Sequence, residues 1–229
     1  VLPQAPGYWG RFANGRIESF YPTARPLLQV HEMVTHANRI AKSLYELHQF
    51  AAPSYCQGPM LFVELRDWYK QACGLVFSDE SLQQRYQELN LPSLAAELDA
   101  LEDAVAPDAP VVFCHNDLLS ANILLDENQI RLVDFEYGSL NYRTHDIANH
   151  FNEYENLPTL AQQRAFVQAY NASAVDDIMN ELPVFMEANH LYWGLWAILQ
   201  AYAEGCDEYD YMEYGTQRIR QYWVVKRGE

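Results

Sequence analysis

The chain has 229 residues, 49% hydrophobic and 20% charged, with no low-complexity tract, which suits one large globular domain or one and a half small ones and leaves disorder out. A net charge of −16 disfavours a nucleic-acid partner, because phosphate backbones are gripped by Lys/Arg surfaces, whereas a cationic substrate and plain solubility both agree with it. Cys56, Cys73, Cys114 and Cys206 show no CxxC spacing, which argues against a zinc centre or a disulfide framework, and no apolar run approaches the roughly 18 residues that span a bilayer.

Tyr8–Phe12 and Arg16–Tyr21 alternate around Asn14-Gly15, a short-range hairpin signal, and Pro22 ends the second strand. Val30, Val34, Ala37, Ala41, Leu44 and Leu47 fall at helical spacing and predict one helix from Val30 to His48. Leu61, Leu65, Trp68 and Ala72 predict a second helix, Leu82, Tyr86 and Leu89 a short third, and Leu94, Leu98, Leu101 and Val105 a fourth that Pro107 and Pro110 stop. The pattern then switches to short apolar runs at Val111–Phe113, Asn122–Leu125 and Ile130–Val133, with Asp126–Gln129 as the turn between the last two. Helical periodicity returns at about Leu160–Tyr170, Pro183–Tyr202 and Tyr209–Val225. The expected architecture is α+β: a small N-terminal hairpin, a helical mass, a central hairpin and further helices.

The chemistry concentrates in Cys114-His115-Asn116-Asp117-Leu118-Leu119-Ser120-Ala121-Asn122, followed by Asp134-Phe135-Glu136. His115, Asp117 and Asn122 stand at the offsets of a protein-kinase catalytic loop. Asp117 can accept the proton of an attacking hydroxyl, and Asn122 and Asp134 can hold magnesium on a nucleotide. His115 is expected to brace the loop rather than do chemistry. Any one of these residues in isolation would read as a turn or cap; their joint spacing between apolar strands points to phosphoryl transfer.

The same blocks resemble the choline/ethanolamine kinase family. The likeness runs through Cys114–Leu124, Val133–Tyr137, Asn141–Arg143, Asp146–Glu153, His190–Trp196 and Tyr209–Tyr214, and reaches back to Gly15–Pro22, which resembles the interlobe hinge. The resemblance implies a protein-kinase-like fold, with residues 1–24 as the end of an N-terminal lobe and hinge and 25–229 as the C-terminal lobe. It implies ATP and Mg2+ as cofactors, Asp117 as the catalytic base, Asn122 and Asp134 as metal ligands, and the backbone of Glu18, Ser19, Phe20 and Tyr21 against adenine. Glu153, Trp193, Trp196, Tyr211 and Tyr214 match positions around the substrate's ammonium group, where rings and a carboxylate attract a cation. Ordinary core packing is the rival reading of Trp193 and Trp196, which share a helix face. The implied reaction is phosphorylation of ethanolamine, with choline left open as a second acceptor, in a cytoplasmic phospholipid-synthesis enzyme; a homodimer is also left open.

The sequence departs from the family at one end. Gly7, Gly10 and Gly15 form no G-x-G-x-x-G, and Lys42 and Lys70 lie in predicted helices, so neither the phosphate loop nor the strand lysine is visible. The chain opens at Val1 in a Pro-rich stretch and reads as one whose start is missing; by itself it is expected to be nearly inactive. Two rivals remain: an aminoglycoside-type phosphotransferase, which would favour acidic over aromatic acceptor residues, and a non-catalytic relative lacking the lobe.

Overall fold

The computed structural model describes residues 5–27, 30–127, 129–153 and 158–228. Along the chain come β1 (Tyr8–Phe12), β2 (Gly15–Glu18), β3 (Arg25–Pro26), α1 (Val30–Thr35), α2 (Ala37–His48), α3 (Leu61–Cys73), α4 (Glu80–Glu88) and α5 (Ala95–Ala104). There follow β4 (Val111–Cys114), β5 (Ile123–Asp126), β6 (Gln129–Leu132), β7 (Ser139–Tyr142), α6 (Arg143–Asn152), α7 (Leu160–Tyr170), α8 (Val175–Ala203) and α9 (Tyr211–Arg227). They divide into two compact units, Val1–Gln57 with Pro110–Asn180, and Gly58–Ala109 with Glu181–Glu229.

The first unit holds all the described strands, in three antiparallel pieces: β1-β2, β3-β5-β6 and β4-β7. α2 buries Ile40, Ala41, Leu44 and Leu47 and packs on α7 and on β4 and β6, while α6 covers β4 and β7. The hairpin turn differs from expectation. Phe12 pairs with Gly15, so Ala13-Asn14 is the two-residue loop and Gly15 opens β2. A Cβ on Gly15 would stand 2.7 Å from the Phe12 ring, so the glycine serves the packing of that ring and not a left-handed turn.

The expected single helix Val30–His48 breaks at His36, where Thr35 Oγ1 donates to the His31 carbonyl at 2.9 Å, a back-bond that bends helices. As a result Val34, placed on the buried stripe by its spacing, is 44% exposed. Besides the two-residue strand β3, two elements escaped the sequence reading. In α6, residues Thr144 to Phe151 are all buried, yet Thr144, His145, Asp146, Asn149 and His150 are polar, so polarity does not mark its buried side. In β7 the inward residue is Asn141, which conceals the alternation of a strand. α8 begins eight residues before Pro183, not at it, and the proline lies inside the helix. Its missing N–H costs on the order of 3 kcal/mol, which burial of Ile178, Leu182, Phe185 and Met186 offsets.

In the second unit α3 packs on α5 and on the 3-10 turn Leu91–Leu94, and α4 packs on α9. Arg85 joins these last two by pairing with Asp210 at 2.9 Å. α8 and α9 meet at Gly194 and Gly215. A Cβ on Gly194 would lie 2.9 Å from Ile219 Cγ1, and one on Gly215 would lie 3.1 Å from the Gly194 carbonyl oxygen, so both positions exclude a side chain.

Candidate active site

The loop between β4 and β5 is held in shape by its own polar atoms. His115 Nε2–H donates to the Val133 carbonyl at 2.8 Å, leaving Nδ1 to accept the Asp117 N–H at 3.3 Å. Burial lowers the His115 pKa, so the ring stays neutral in this tautomer, 4.6 Å from Phe135. His115 thus braces the loop, as its sequence position suggested. Asn116 turns the chain with φ of 65°, which an Asn side chain tolerates. Its amide donates to Tyr137 O at 2.8 Å and Ser139 Oγ at 2.9 Å and accepts from Asn141 at 2.9 Å, so β7 supplies the restraint.

α6 grips the same loop from beneath. Asp146 accepts the backbone N–H groups of His115 and Asn116, each at 2.8 Å, and that of His48 Nε2 at 3.0 Å. Burial alone would raise this carboxyl, but the His48 hydrogen bond and the backbone donors hold it below its ordinary range. His48 Nδ1 accepts the Tyr170 hydroxyl at 2.7 Å. One turn along, Asn149 Oδ1 accepts the Leu118 N–H at 2.7 Å and His150 Nδ1–H donates to the Leu118 carbonyl at 3.3 Å. Asp146 and Asn149 stood in the sequence block that carries the family likeness, yet no role was assigned to them, because a contact 30 residues away leaves no trace in local spacing.

Asp117 is therefore fixed on both sides. Asn122 Nδ2 donates to its backbone oxygen and to Oδ2, both at 2.9 Å. Burial, then the negative charge of Glu153, pushes Asp117 up to about 7, while the Asn122 amide pulls it down and Asp134 and Glu136 add to the rise. A carboxylate titrating near neutrality is matched to general-base work. Asp134 is exposed, with φ of 62°, in the loop two residues after β6 ends. Among the described residues no hydrogen bond or ion pair ties down its carboxylate or the Asn122 Oδ1 atom. An amide oxygen and a carboxylate are the hard donors that Mg2+ takes.

The hinge candidates lie in the same unit. Ser19 N–H is already bonded to Gly7 O at 2.8 Å, and Tyr21 O accepts from Ala24 at 3.2 Å. Glu18 pairs with Arg16, and Arg131 sits 4.8 Å over the Tyr21 ring. The Phe20 side chain is 85% exposed, and its backbone N–H and C=O have no partner among the described residues.

The aromatic candidates come together in the second unit. Trp193 and Trp196 meet edge to face at 5.4 Å, Trp196 reaches Tyr211 at 5.7 Å, and Tyr209, absent from the sequence-based set, bridges Tyr211 at 4.9 Å and Tyr214 at 6.2 Å. Trp193 is 5% exposed, while Trp196, Tyr211 and Tyr214 are half-buried. Asp117, Asn122, Asp134 and Glu153 belong to the first unit.

The family model described as choline/ethanolamine kinase matches residues 4–223. Probable choline kinase 1 of Arabidopsis thaliana is 33% identical over 249 residues, covering 96% of this chain and 69% of its own. Probable ethanolamine kinase of the same plant is 33% identical over 234 residues, covering 93% of this chain and 62% of its own. The solved ethanolamine kinase of Plasmodium vivax superposes with a TM-score of 0.85 at 24% identity, over 96% of this chain and 67% of that one, which shows a shared protein-kinase-like α+β fold. The chain thus spans about two thirds of the length of these relatives. With the family model running from residue 4 to residue 223, through the loop of Asp117 and the aromatic helices alike, the chain belongs to the choline/ethanolamine kinase family.

Proposed function

We propose that this protein transfers the γ-phosphoryl group of ATP to the hydroxyl of ethanolamine, with choline as a further acceptor. The observation that carries this reading is the Asp117 carboxyl held by the Asn122 amide at 2.9 Å, with the Asn122 Oδ1 atom and the Asp134 carboxylate untied among the described residues. The remaining Asp117 oxygen takes the proton of the substrate hydroxyl as that hydroxyl oxygen attacks in line. Asn122 Oδ1 and the Asp134 carboxylate are the residues that would hold Mg2+ on the nucleotide, and a bound metal there supplies charge compensation for the transferring phosphoryl group. The free backbone of Phe20, within Glu18–Tyr21, is the adenine contact in this reading. Trp193, Trp196, Tyr211 and Tyr214 would enclose the ammonium group, with Glu153 as its counter-charge. Residues 1–24 then serve as the end of the N-terminal lobe and hinge, and 25–229 as the C-terminal lobe. The aromatic set favours a small amino alcohol over an aminoglycoside, which calls for carboxylates around its several amines.

The test is ADP release from Mg-ATP and ethanolamine by the full-length protein and its Asp117→Ala variant. Loss of the base is expected to cost about 10²–10⁴ in rate. A variant that turns over near the wild-type rate removes Asp117 from the chemistry and the assignment with it.

A further inference from the structure

The second unit contains another meeting of a carboxylate with aromatic rings, made of residues that phosphoryl transfer does not use. Glu64 lies in the first turn of α3 and is half-buried. Its Oε2 atom accepts the Tyr192 hydroxyl at 2.8 Å, while Oε1 has no partner among the described residues. Burial raises the Glu64 pKa, so holding it ionised carries a cost. A carboxylate in such a place is ordinarily matched by a cation, yet among the described residues no Lys, Arg or His forms an ion pair with Glu64.

Trp68 stands one helical turn after Glu64, on the same face of α3. Its ring is half-buried and lies 4.5 Å from that of Tyr192 at a tilt of 46°, and Tyr192 in turn meets Trp193 edge-on at 5.3 Å. Indole is the strongest of the side-chain π-faces for a cation, and the neighbouring unpaired carboxylate oxygen supplies the charge that a ring alone lacks. A neutral ligand would leave that oxygen unsatisfied, and an anion would be repelled by it.

We propose that Glu64, Trp68 and Tyr192 form a binding subsite for an organic ammonium ion, with the free Glu64 oxygen facing the charge and the Trp68 ring covering the alkyl groups. None of the three is among the residues assigned to acceptor or nucleotide, so the subsite does not depend on the phosphoryl-transfer reading.

The probe is tetramethylammonium chloride, titrated into the protein without nucleotide, against sodium chloride at equal ionic strength. Tryptophan fluorescence reports occupancy, and because the Trp193 and Trp196 acceptor set would answer to the same ion, this subsite is read from the component that Glu64→Gln weakens. A saturable change specific to tetramethylammonium is expected. Glu64→Gln keeps an acceptor for the Tyr192 hydroxyl and so preserves the fold, checked by an unchanged thermal midpoint, and it should weaken binding about tenfold or more. Trp68→Phe keeps a ring beside Tyr192 and should weaken it about three- to tenfold. No saturable change in the wild-type protein, or equal affinity in wild type and Glu64→Gln, overturns the proposal and assigns the carboxylate to satisfying Tyr192 alone. An active Asp117→Ala enzyme would overturn the kinase assignment and leave this titration untouched.

Discussion

Replacing Asp146 with Asn isolates the grip of α6 on the catalytic loop. The carboxylate accepts three hydrogen bonds, from the His115 and Asn116 amides at 2.8 Å and from His48 at 3.0 Å, and it is fully buried. An Asn side chain has the same shape but a single acceptor oxygen, so one of these donors must face an NH2 group. A hydrogen bond to a buried charge contributes about 1.5–3 kcal/mol, and an orphaned buried donor costs a further 1–3 kcal/mol or so. The expected loss is therefore about 3–5 kcal/mol. For a chain of this size that lowers the thermal midpoint by roughly 6–20 °C. Because the chain has two units, the melt should be paired with amide hydrogen exchange, read at His115 and Asn116. Those two amides should lose protection ahead of the α2 core. A drop below about 1 kcal/mol with both amides still protected would refute the reasoning, for it would mean that the loop holds its shape without the charge.

Three further outcomes follow from other parts of the molecule. Gly194→Ala places a Cβ 2.9 Å from Ile219 Cγ1 and should cost about 1–3 kcal/mol in urea unfolding, with recovery in the Gly194→Ala/Ile219→Ala pair; additive losses would place the cost elsewhere. Burial lowers His145 and His150 to about 4 and, with the Arg218 charge, His190 to about 3. The unfolded chain takes up protons near 6.5 and the folded one only below 4, so stability is full above neutrality and falls as pH drops through this window, by at most about 1.4 kcal/mol per pH unit for each histidine. Equal urea midpoints at pH 7.5 and pH 5 would contradict it. Asp134→Asn should raise the Mg2+ concentration needed for half-maximal turnover in the full-length protein by about tenfold, and an unchanged requirement would exclude Asp134 from the metal site.

The loop chemistry was readable because it is local. His115, Asp117 and Asn122 lie on one short stretch whose flanking strands are marked by apolar runs, whereas the 2.9 Å contact of Asn122 with Asp117 came from the structure. The helices with one dry face, such as α2 and α7, were equally plain. α6 was not, since His145, Asp146, Asn149 and His150 are polar yet buried, and β7 was hidden by the polar Asn141 on its inner side.

By itself the sequence determined the family's residue types in order: Asp117, Asn122 and Asp134 at kinase-loop spacing and an aromatic-rich pair of helices, each recognisable from residue type and spacing along a few turns of chain. Only the tertiary structure decided how those residues are tuned. The pKa of Asp117 near 7 comes from burial and from Glu153, 36 positions downstream, and the loop is pinned by His48, Asp146 and Asn149 from two other helices. Desolvation, charge and hydrogen bonding act through space over a few ångströms, and the folded chain alone brings those groups within that range.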